Sequence, residues 1–331
     1  MEKMKVGVVG ATGMVGQRFL MLLENHPYFE VSALAASARS AGKTYEEAVG
    51  ARWKMKAPMP EKYKKMIVHD AAKIDEMKEL VSFVFCAVDM KKDEIKALEE
   101  AYAKNEIPVV SNNSANRWTP DVPMVIPEIN DEHLEVIAAQ RARLGTKRGF
   151  IAVKPNCSIQ SYVPALTPLR KFGIKEVVAT TYQAISGAGK TFNEWPEMID
   201  NIIPYIGGEE EKMESELAKM LGTYENGEFK FAGFRTFANC ARVPVVDGHL
   251  ESLVVKMDAE PTVEELINTF ETFQGEPQKL KLPSAPEQPI IVRKENNRPQ
   301  PAYDVFAGGT GRSKGMAVTL GRVRKKEEYY K

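Results

Sequence analysis

Cysteine is scarce in this sequence: 331 residues carry only Cys86, Cys157 and Cys240. With no CxxC pair and no Cys/His cluster, they make neither a disulfide framework nor a zinc site. No apolar run reaches the roughly 18 residues of a membrane helix. A strand-like pattern begins close to the start, so a secretory signal is not expected. An excess of either charge is lacking too. Lys plus Arg and Asp plus Glu number 45 each, which excludes the basic surplus of a nucleic-acid or anionic-membrane binder. Repeats and low-complexity tracts are absent. What is present is 44% apolar and 27% charged residues, which rules out a disordered composition. At roughly 150 residues per domain, the length predicts two domains. The expected setting is a reducing cytoplasm, and the expected partner is a small molecule.

The first half alternates strand-like and helix-like stretches, the pattern of a parallel α/β sheet. Lys5–Val9, Val31–Ala36, Val81–Val88 and Pro108–Ser111 read as strands. Between them, Met14–Asn25 puts Val15, Phe19, Leu22 and Leu23 on one helical face, and Asp93–Lys104 reads as a charged helix. After Gly149 the pattern changes. Phe150–Lys154 reads as a strand leading through Pro155 and Asn156 into a helix, and Val177–Ile185 as another strand. Two helices are expected to flank Gly207 and Gly208. Arg235–Val245, Leu250–Met257 and Met316–Arg322 look like strands, and Pro261–Phe273 like a helix with proline near its start. The expected boundary lies near residue 150, with an α/β half over 1–150 and an α+β half with an antiparallel or mixed sheet over 151–331.

Gly10-Ala11-Thr12-Gly13-Met14-Val15-Gly16 follows the first strand directly and opens the first helix. A dinucleotide site needs a sharp turn, close approach of backbone to a pyrophosphate, and helix N-terminal amides aimed at it. Glycine permits the first two and the helix end supplies the third. The spacing is GxxGxxG rather than GxGxxG, so its placement between strand and helix carries the assignment. A tight turn with a packing glycine is the alternative. On this basis the first half is expected to be a Rossmann-type, doubly wound parallel sheet. The end of the second strand, AASARSAG over Ala35–Gly42, holds no acid to bond a ribose 2′-hydroxyl. Arg39, with Ser37 and Ser40 beside it, suits a 2′-phosphate, so NADP is expected; a solvated loop arginine is the alternative. Gly187-Ala188-Gly189-Lys190-Thr191 imitates the end of a P-loop, but Ala184 stands where the first glycine is required.

Lys154-Pro155-Asn156-Cys157-Ser158 ends a strand and begins a helix. A cysteine at a helix N-terminus faces free amides and the positive end of the dipole, which favours its thiolate. Cys157 is therefore a candidate nucleophile, with a core thiol as the alternative. Cys86, in the middle of VFCAV, reads as a small buried hydrophobe, and Cys240 is ambiguous. Among the histidines, His26 follows a helix, His69 falls in a polar loop and His133 on a charged helix. His249 follows Asp247-Gly248 at the head of a strand and is the candidate acid/base, although a turn histidine is usually a surface residue.

In order, GATGMVG, AASARSAG, SNNSANR, KPNCS, QAISGAG, GGEEEK, CARVPVVDGH and RPQP resemble the motifs of the aspartate-β-semialdehyde dehydrogenases over nearly the whole chain. The glutamate-rich EEEK resembles the archaeal and fungal type. The resemblance implies NADPH-dependent reductive dephosphorylation of L-aspartyl 4-phosphate to L-aspartate 4-semialdehyde, in the biosynthesis of lysine and diaminopimelate, threonine, methionine and isoleucine. It implies a Cys157 thioester, His249 as acid/base and Gln183 orienting the acyl group. Arg242 would clamp the substrate carboxylate, Glu209 would receive the ammonium, and Lys212 and Arg117 would bind phosphate. Asn156 would stand beside the nucleophile, and Ser186 and Gly187 near the nicotinamide. Without the resemblance, Glu209 and Lys212 are only a helical i,i+3 ion pair. The family also implies that the second half is the catalytic and dimerisation domain, giving a homodimer or a dimer of dimers.

One departure stands out. In the family an Asn-Thr-x-Arg-Gly-Ala-Ala-Gly segment and a final helix follow the last strand, whereas this sequence stops at Lys331. Weaker NADPH affinity than in an extended version is the expectation. Three rivals share features of the pattern. Malonyl-CoA reductase uses the same cysteine chemistry, but Glu209, Lys212 and Arg242 suit an amino-acid phosphate. The substrate of N-acetyl-glutamyl-phosphate reductase lacks the ammonium that Glu209 would receive. An inactive NADP-binding module is the third.

Overall fold

The valines of Met4–Val9 form strand β1, whose last four residues are buried. β-Branched residues filling both faces are what a central parallel strand requires. In the computed structural model, which describes residues 2–331, β1 is followed by β2 (Phe29–Ala36), β3 (Val68–Asp70), β4 (Phe83–Cys86), β5 (Val109–Ser111) and β6 (Ile151–Val153). They form one parallel sheet in the order β3-β2-β1-β4-β5-β6, the order of doubly wound dinucleotide-binding sheets. Helices α1 (Met14–Leu23), α2 (Tyr45–Val49), α3 (Glu61–Lys64), α4 (Ile74–Lys78), α5 (Lys92–Lys104) and α6 (Ile137–Leu144) occupy the connections. The expected Rossmann-type sheet is therefore present. β3 is an additional strand, and His69 sits on it beside Glu76 rather than in a loop.

Two glycines set the first crossover. Gly10 has φ +88°, and a Cβ there would lie 2.3 Å from the Ala87 carbonyl oxygen. A Cβ on Gly16 would lie 2.3 Å from the Gly10 carbonyl oxygen. This close approach decides which face of α1 is buried: Gly16, Gln17, Leu20 and Leu23 point inward, while Val15 and Leu22 are exposed. The hydrophobic periodicity alone is one position out of phase with that face. Phe19 instead stacks on Phe85 at 4.9 Å between ring centres, with Phe29 and Phe83 edge-on nearby.

Contacts divide the chain into two units. One contains the chain up to Met124, His133–Lys154 and Asn226–Glu228; the other contains Val125–Glu132, Pro155–Glu225 and Phe229–Lys331. The second unit begins with α7 (Cys157–Leu166), and β7 (Ile174–Gln183) follows. Next come α8 (Glu209–Met220), β8 (Thr223–Glu225) and β9 (Glu228–Lys230), the last with its first residue, Glu228, assigned to the first unit. β10 (Arg235–Arg242), β11 (Leu250–Met257), α9 (Val263–Glu271), β12 (Ile290–Arg293), β13 (Val318–Gly321), β14 (Lys325–Lys326) and β15 (Tyr329–Tyr330) complete it. Its mixed sheet has the order β10-β7-β11-β15-β14, with β10 parallel to β7 and the other pairs antiparallel. Period-2 alternation turns Val177, Ala179, Thr181 and Gln183 of β7 to the buried face. Helix α7 packs against β11, and α8 against β10.

The helix expected before Gly207 is not formed. Only a turn at Pro196–Met198 is helical, because Pro196 and Pro204 remove donors and Asp200 adopts φ +55°. Ile203 instead exchanges two backbone hydrogen bonds with Arg242, of 2.8 and 3.0 Å.

Near the end of the second unit, Asp304 ties the RPQP turn to β12. Its side chain is 4% exposed and accepts hydrogen bonds from Arg298, Arg293 and the Gln300 N–H. The Arg298 bonds, working against burial, hold its carboxyl down at about 2. A depressed carboxyl stabilises the folded state above its unfolded pKa, and that stability is lost as pH falls through the folded value. Asp304→Asn should therefore cost about 2 kcal/mol at neutral pH. In urea unfolding, the gap between the two proteins should hold from about pH 5 upward and narrow as pH falls from about 4 toward 2.

Candidate active site

In the first unit, the turn after β1 and the end of β2 lie together. The N–H groups of Gly10 and Ala11 both donate to the Ala35 carbonyl, at 2.8 and 3.1 Å. Protein backbone closes off Gly10 and Gly16, whereas a Cβ on Gly13 would meet only the Gly10 oxygen, at 3.6 Å. Gly13 is the N-cap of α1, and no side chain caps that first turn. A helix N-terminus approachable over glycine, flanked by Thr12, Met14 and Val15, fits a pyrophosphate. Ser37 and Arg39 are exposed on the next turn, where a 2′-phosphate can be met. Ser40 is buried, its backbone N–H donating to the Ser37 carbonyl at 2.9 Å. The residues present fit NADP.

Arg117 also belongs to this unit. It is buried at the end of the SNNSANR loop, and its Nε donates to the Lys154 carbonyl at 3.0 Å.

In the second unit, Cys157 is the first residue of α7, half-buried at the N-terminus. Asn156 is the N-cap, its Oδ1 accepting from the Ser158 N–H at 2.8 Å. The same carboxamide donates through Nδ2 to Glu209 Oε2 at 2.8 Å, and the Asn156 N–H donates to Glu216 Oε2 at 2.8 Å. Glu209 opens α8, and its other oxygen accepts from Lys212 Nζ at 2.7 Å. Burial pushes the Glu209 carboxyl up, but bonds from Lys212, Asn156 and Gln183 outweigh it and hold the group below the ordinary range. The carboxylate thus stays charged and ready for a cation.

Gln183 ends β7, nearly fully buried, and its Nε2 donates to Thr181 Oγ1 at 3.2 Å. His249 Nδ1 accepts from the Ala184 N–H at 3.1 Å, which places the proton of a neutral ring on Nε2. Arg242 Nη1 donates to the Ala184 carbonyl at 2.7 Å. Arg242 and His249 converge on Gly187, whose Cβ would stand 3.0 Å from the guanidinium and 3.2 Å from the imidazole. Burial lowers the Arg242 pKa, while Cys157, Glu209 and Cys240 pull it the other way.

Cys157, Asn156, Gln183, Ser186, Gly187, Glu209, Lys212, Arg242 and His249 thus all belong to the second unit, and the glycine motif, Ser37, Arg39, Ser40 and Arg117 to the first. Sequence reasoning missed Glu216 and Thr181. Glu216 lies two helical turns after Glu209 on the buried side of α8, among Met213, Leu217 and Met220. An acid in an apolar stripe was the available signal.

The other thiols differ from Cys157. Cys86 and Cys240 are buried. Burial, with Glu99 beside it, drives the Cys86 thiol far up, and burial pushes Cys240 to about 11. At pH 8 only about one Cys240 in a thousand is ionised. Iodoacetamide should therefore add one carboxamidomethyl group to the native protein, mapped by peptide mass spectrometry to Cys157. Cys86 and Cys240 should react only after unfolding.

The semialdehyde dehydrogenase NAD-binding domain model matches residues 5–137, and the semialdehyde dehydrogenase dimerisation domain model matches residues 166–331. Aspartate-semialdehyde dehydrogenase of Methanothermobacter thermautotrophicus is 46% identical over 324 residues, covering 96% of this chain and 88% of the relative. That of Aspergillus fumigatus is 41% identical, covering 97% and 88%. The crystal structure of aspartate semialdehyde dehydrogenase with NADP from Candida albicans superimposes with a TM-score of 0.87 at 36% identity, over 99% of this chain and 92% of that one. The fold also matches aspartate semialdehyde dehydrogenase II of Vibrio cholerae, with a TM-score of 0.73 at 24% identity, over 100% of this chain and 91% of that one. The chain belongs to the aspartate-semialdehyde dehydrogenase family.

Proposed function

We propose that this protein catalyses the reversible, NADPH-dependent reductive dephosphorylation of L-aspartyl 4-phosphate to L-aspartate 4-semialdehyde. It thereby serves the cytoplasmic synthesis of lysine or diaminopimelate, threonine, methionine and isoleucine. The observation that carries this reading is Cys157 at the head of α7, held by an Asn156 carboxamide that also grips Glu209.

The Cys157 thiolate attacks the acyl carbon; a C–S bond forms, the C–O bond to phosphate breaks, and inorganic phosphate leaves a thioester behind. The chemistry that NADPH supplies when bound is a hydride for the thioester carbonyl. The glycine turn of α1 would hold its pyrophosphate and Arg39 with Ser37 its 2′-phosphate, with Ser186 and Gly187 near the nicotinamide. His249 gives its Nε2 proton to the carbonyl oxygen as negative charge builds there. It takes that proton back when the C–S bond breaks, which frees the aldehyde and the Cys157 thiolate. Gln183, fixed by Thr181, turns its amide dipole toward the acyl group. The Arg242 fork receives the substrate carboxylate, Glu209 the α-ammonium, and Lys212 and Arg117 the phosphate. A Glu–Lys–Arg set of this kind suits an amino-acid phosphate better than a coenzyme A thioester.

Dimerisation fits the outward face of the mixed sheet, where Phe237 and Tyr182 are 48% and 39% exposed. Ile202 and Tyr205, from the segment bonded to Arg242, are about 60% exposed. We place the dimer contact there, with a dimer of dimers as the larger assembly.

Phosphate-dependent reduction of NADP by aspartate semialdehyde, followed at the nicotinamide absorbance, tests the reaction. Cys157→Ala should abolish it, and a +acyl mass on Cys157 should appear in the absence of phosphate. Turnover retained by Cys157→Ala would overturn the mechanism. Arg39→Ala should raise the KM for NADP by about tenfold or more while leaving that for NAD nearly unchanged.

A further inference from the structure

Helix α5 carries an acid that the proposed reaction does not use. Glu99 is 0% exposed. Its carboxylate faces the Ser111–Arg117 loop, which leaves the carboxyl end of β5. Glu99 Oε1 accepts from Ser111 Oγ and, at 3.0 Å, from Asn113 Nδ2, while Oε2 accepts from Asn116 Nδ2 at 2.7 Å. These partners are neutral, and their proton directions are fixed by further bonds. Asn116 Oδ1 is taken by the Thr119 hydroxyl at 2.9 Å, so its amide must turn Nδ2 toward Glu99. Ser111 Oγ accepts from the Asn113 N–H at 3.0 Å, so its own proton points to Glu99. Only an all-acceptor group satisfies this arrangement; an amide would set an N–H against one of the donors.

The loop so held ends in Arg117. Its backbone N–H returns to the Ser114 carbonyl at 3.3 Å, and its Nε is used on the Lys154 carbonyl at 3.0 Å. Lys154 is three residues before Cys157 in the chain. One buried carboxylate thereby holds three side chains of the loop that ends in Arg117.

We propose that Glu99 is the positioning residue for Arg117, a buried all-acceptor clasp that sets the SNNSANR loop so that the guanidinium is preorganised for phosphate. This rests on the reading of Arg117 as a phosphate ligand. Glu99 touches no substrate and acts only through the loop.

The test is steady-state kinetics of the phosphate-dependent oxidation of aspartate semialdehyde, with phosphate, semialdehyde and NADP each varied. Glu99→Gln keeps the size and reverses one acceptor. It should raise the KM for inorganic phosphate about tenfold, with the other two KM values within about twofold. In the Arg117→Ala background, the same change should add nothing further to the phosphate KM. A fall in kcat or in melting temperature with the phosphate KM unchanged would show a merely structural role and overturn the proposal. If Arg117→Ala itself leaves the phosphate KM unchanged, the phosphate role of Arg117 fails, and the proposal fails with it. If Arg117→Ala raises that KM and Glu99→Gln does not, the Glu99 proposal alone fails. Should Glu99→Gln not fold, Asn116→Ala removes the donor to Glu99 Oε2 and, with it, the acceptor of the part-exposed Thr119 hydroxyl. It should raise the phosphate KM several-fold, and an unchanged value overturns the proposal.

Discussion

The side chain of Asn156 is the knot of the second unit. Its oxygen caps α7, its nitrogen holds Glu209 at the head of α8, and its backbone N–H is fixed by Glu216 one turn from the end of α8. Cys157 is the next residue. Two helix N-termini, one carrying the thiol and one carrying an acid, are thus set against each other by a single carboxamide. A cap alone contributes about 1 kcal/mol. The larger effect is geometric, because moving either helix would break hydrogen bonds of the other. Gln183 and Arg242 are the last residues of β7 and β10, and the backbone of Ala184, the residue after β7, meets both Arg242 and His249. A site carried on strands and helix ends holds its geometry more closely than one carried on free loops.

The first unit solves a different problem. In the proposed reaction its groups would meet phosphates, with backbone and few charges. Gly10 and Gly16 let the chain pack against itself so tightly that no Cβ fits, which frees the head of α1 over Gly13. The neighbouring SNNSANR loop is ordered by neutral donors around one buried anion, so its positive charge resides in Arg117 at its end. Placed groups of this kind explain how a chain of zero net charge can deal with a multiply anionic cofactor and substrate.

Much of this was legible in the sequence where local chemistry determines structure. The strand–glycine–helix order of residues 4–23 and the helix beginning at Cys157 each require particular residues at particular backbone positions, and both lie where expected. The short strands were harder. β3 is three residues long and owes its place to pairing with β2, a contact that no local pattern announces. The buried face of α1 was misplaced because periodicity weighs Val15 and Leu22 as apolar, whereas packing is decided by where Gly16 must touch. Glu99 was invisible for a related reason, and Glu216 was marked only by the apolar stripe around it. A lone acid on a helix reads as solvent-facing until the donors around it, distant in sequence, are known.

The Glu209–Lys212 pair has a consequence for recognition. At 2.7 Å the two groups already neutralise each other. A zwitterionic acyl phosphate that takes Glu209 with its ammonium and Lys212 with its phosphate exchanges one ion pair for two, so the gain per charge is small. A ligand with only the anion would leave the carboxylate competing for the lysine; one with only the ammonium would strand the lysine. In the proposed reaction the pair would work as a two-key lock, yielding little attraction to the right molecule and a definite cost to any that carries half of its charges.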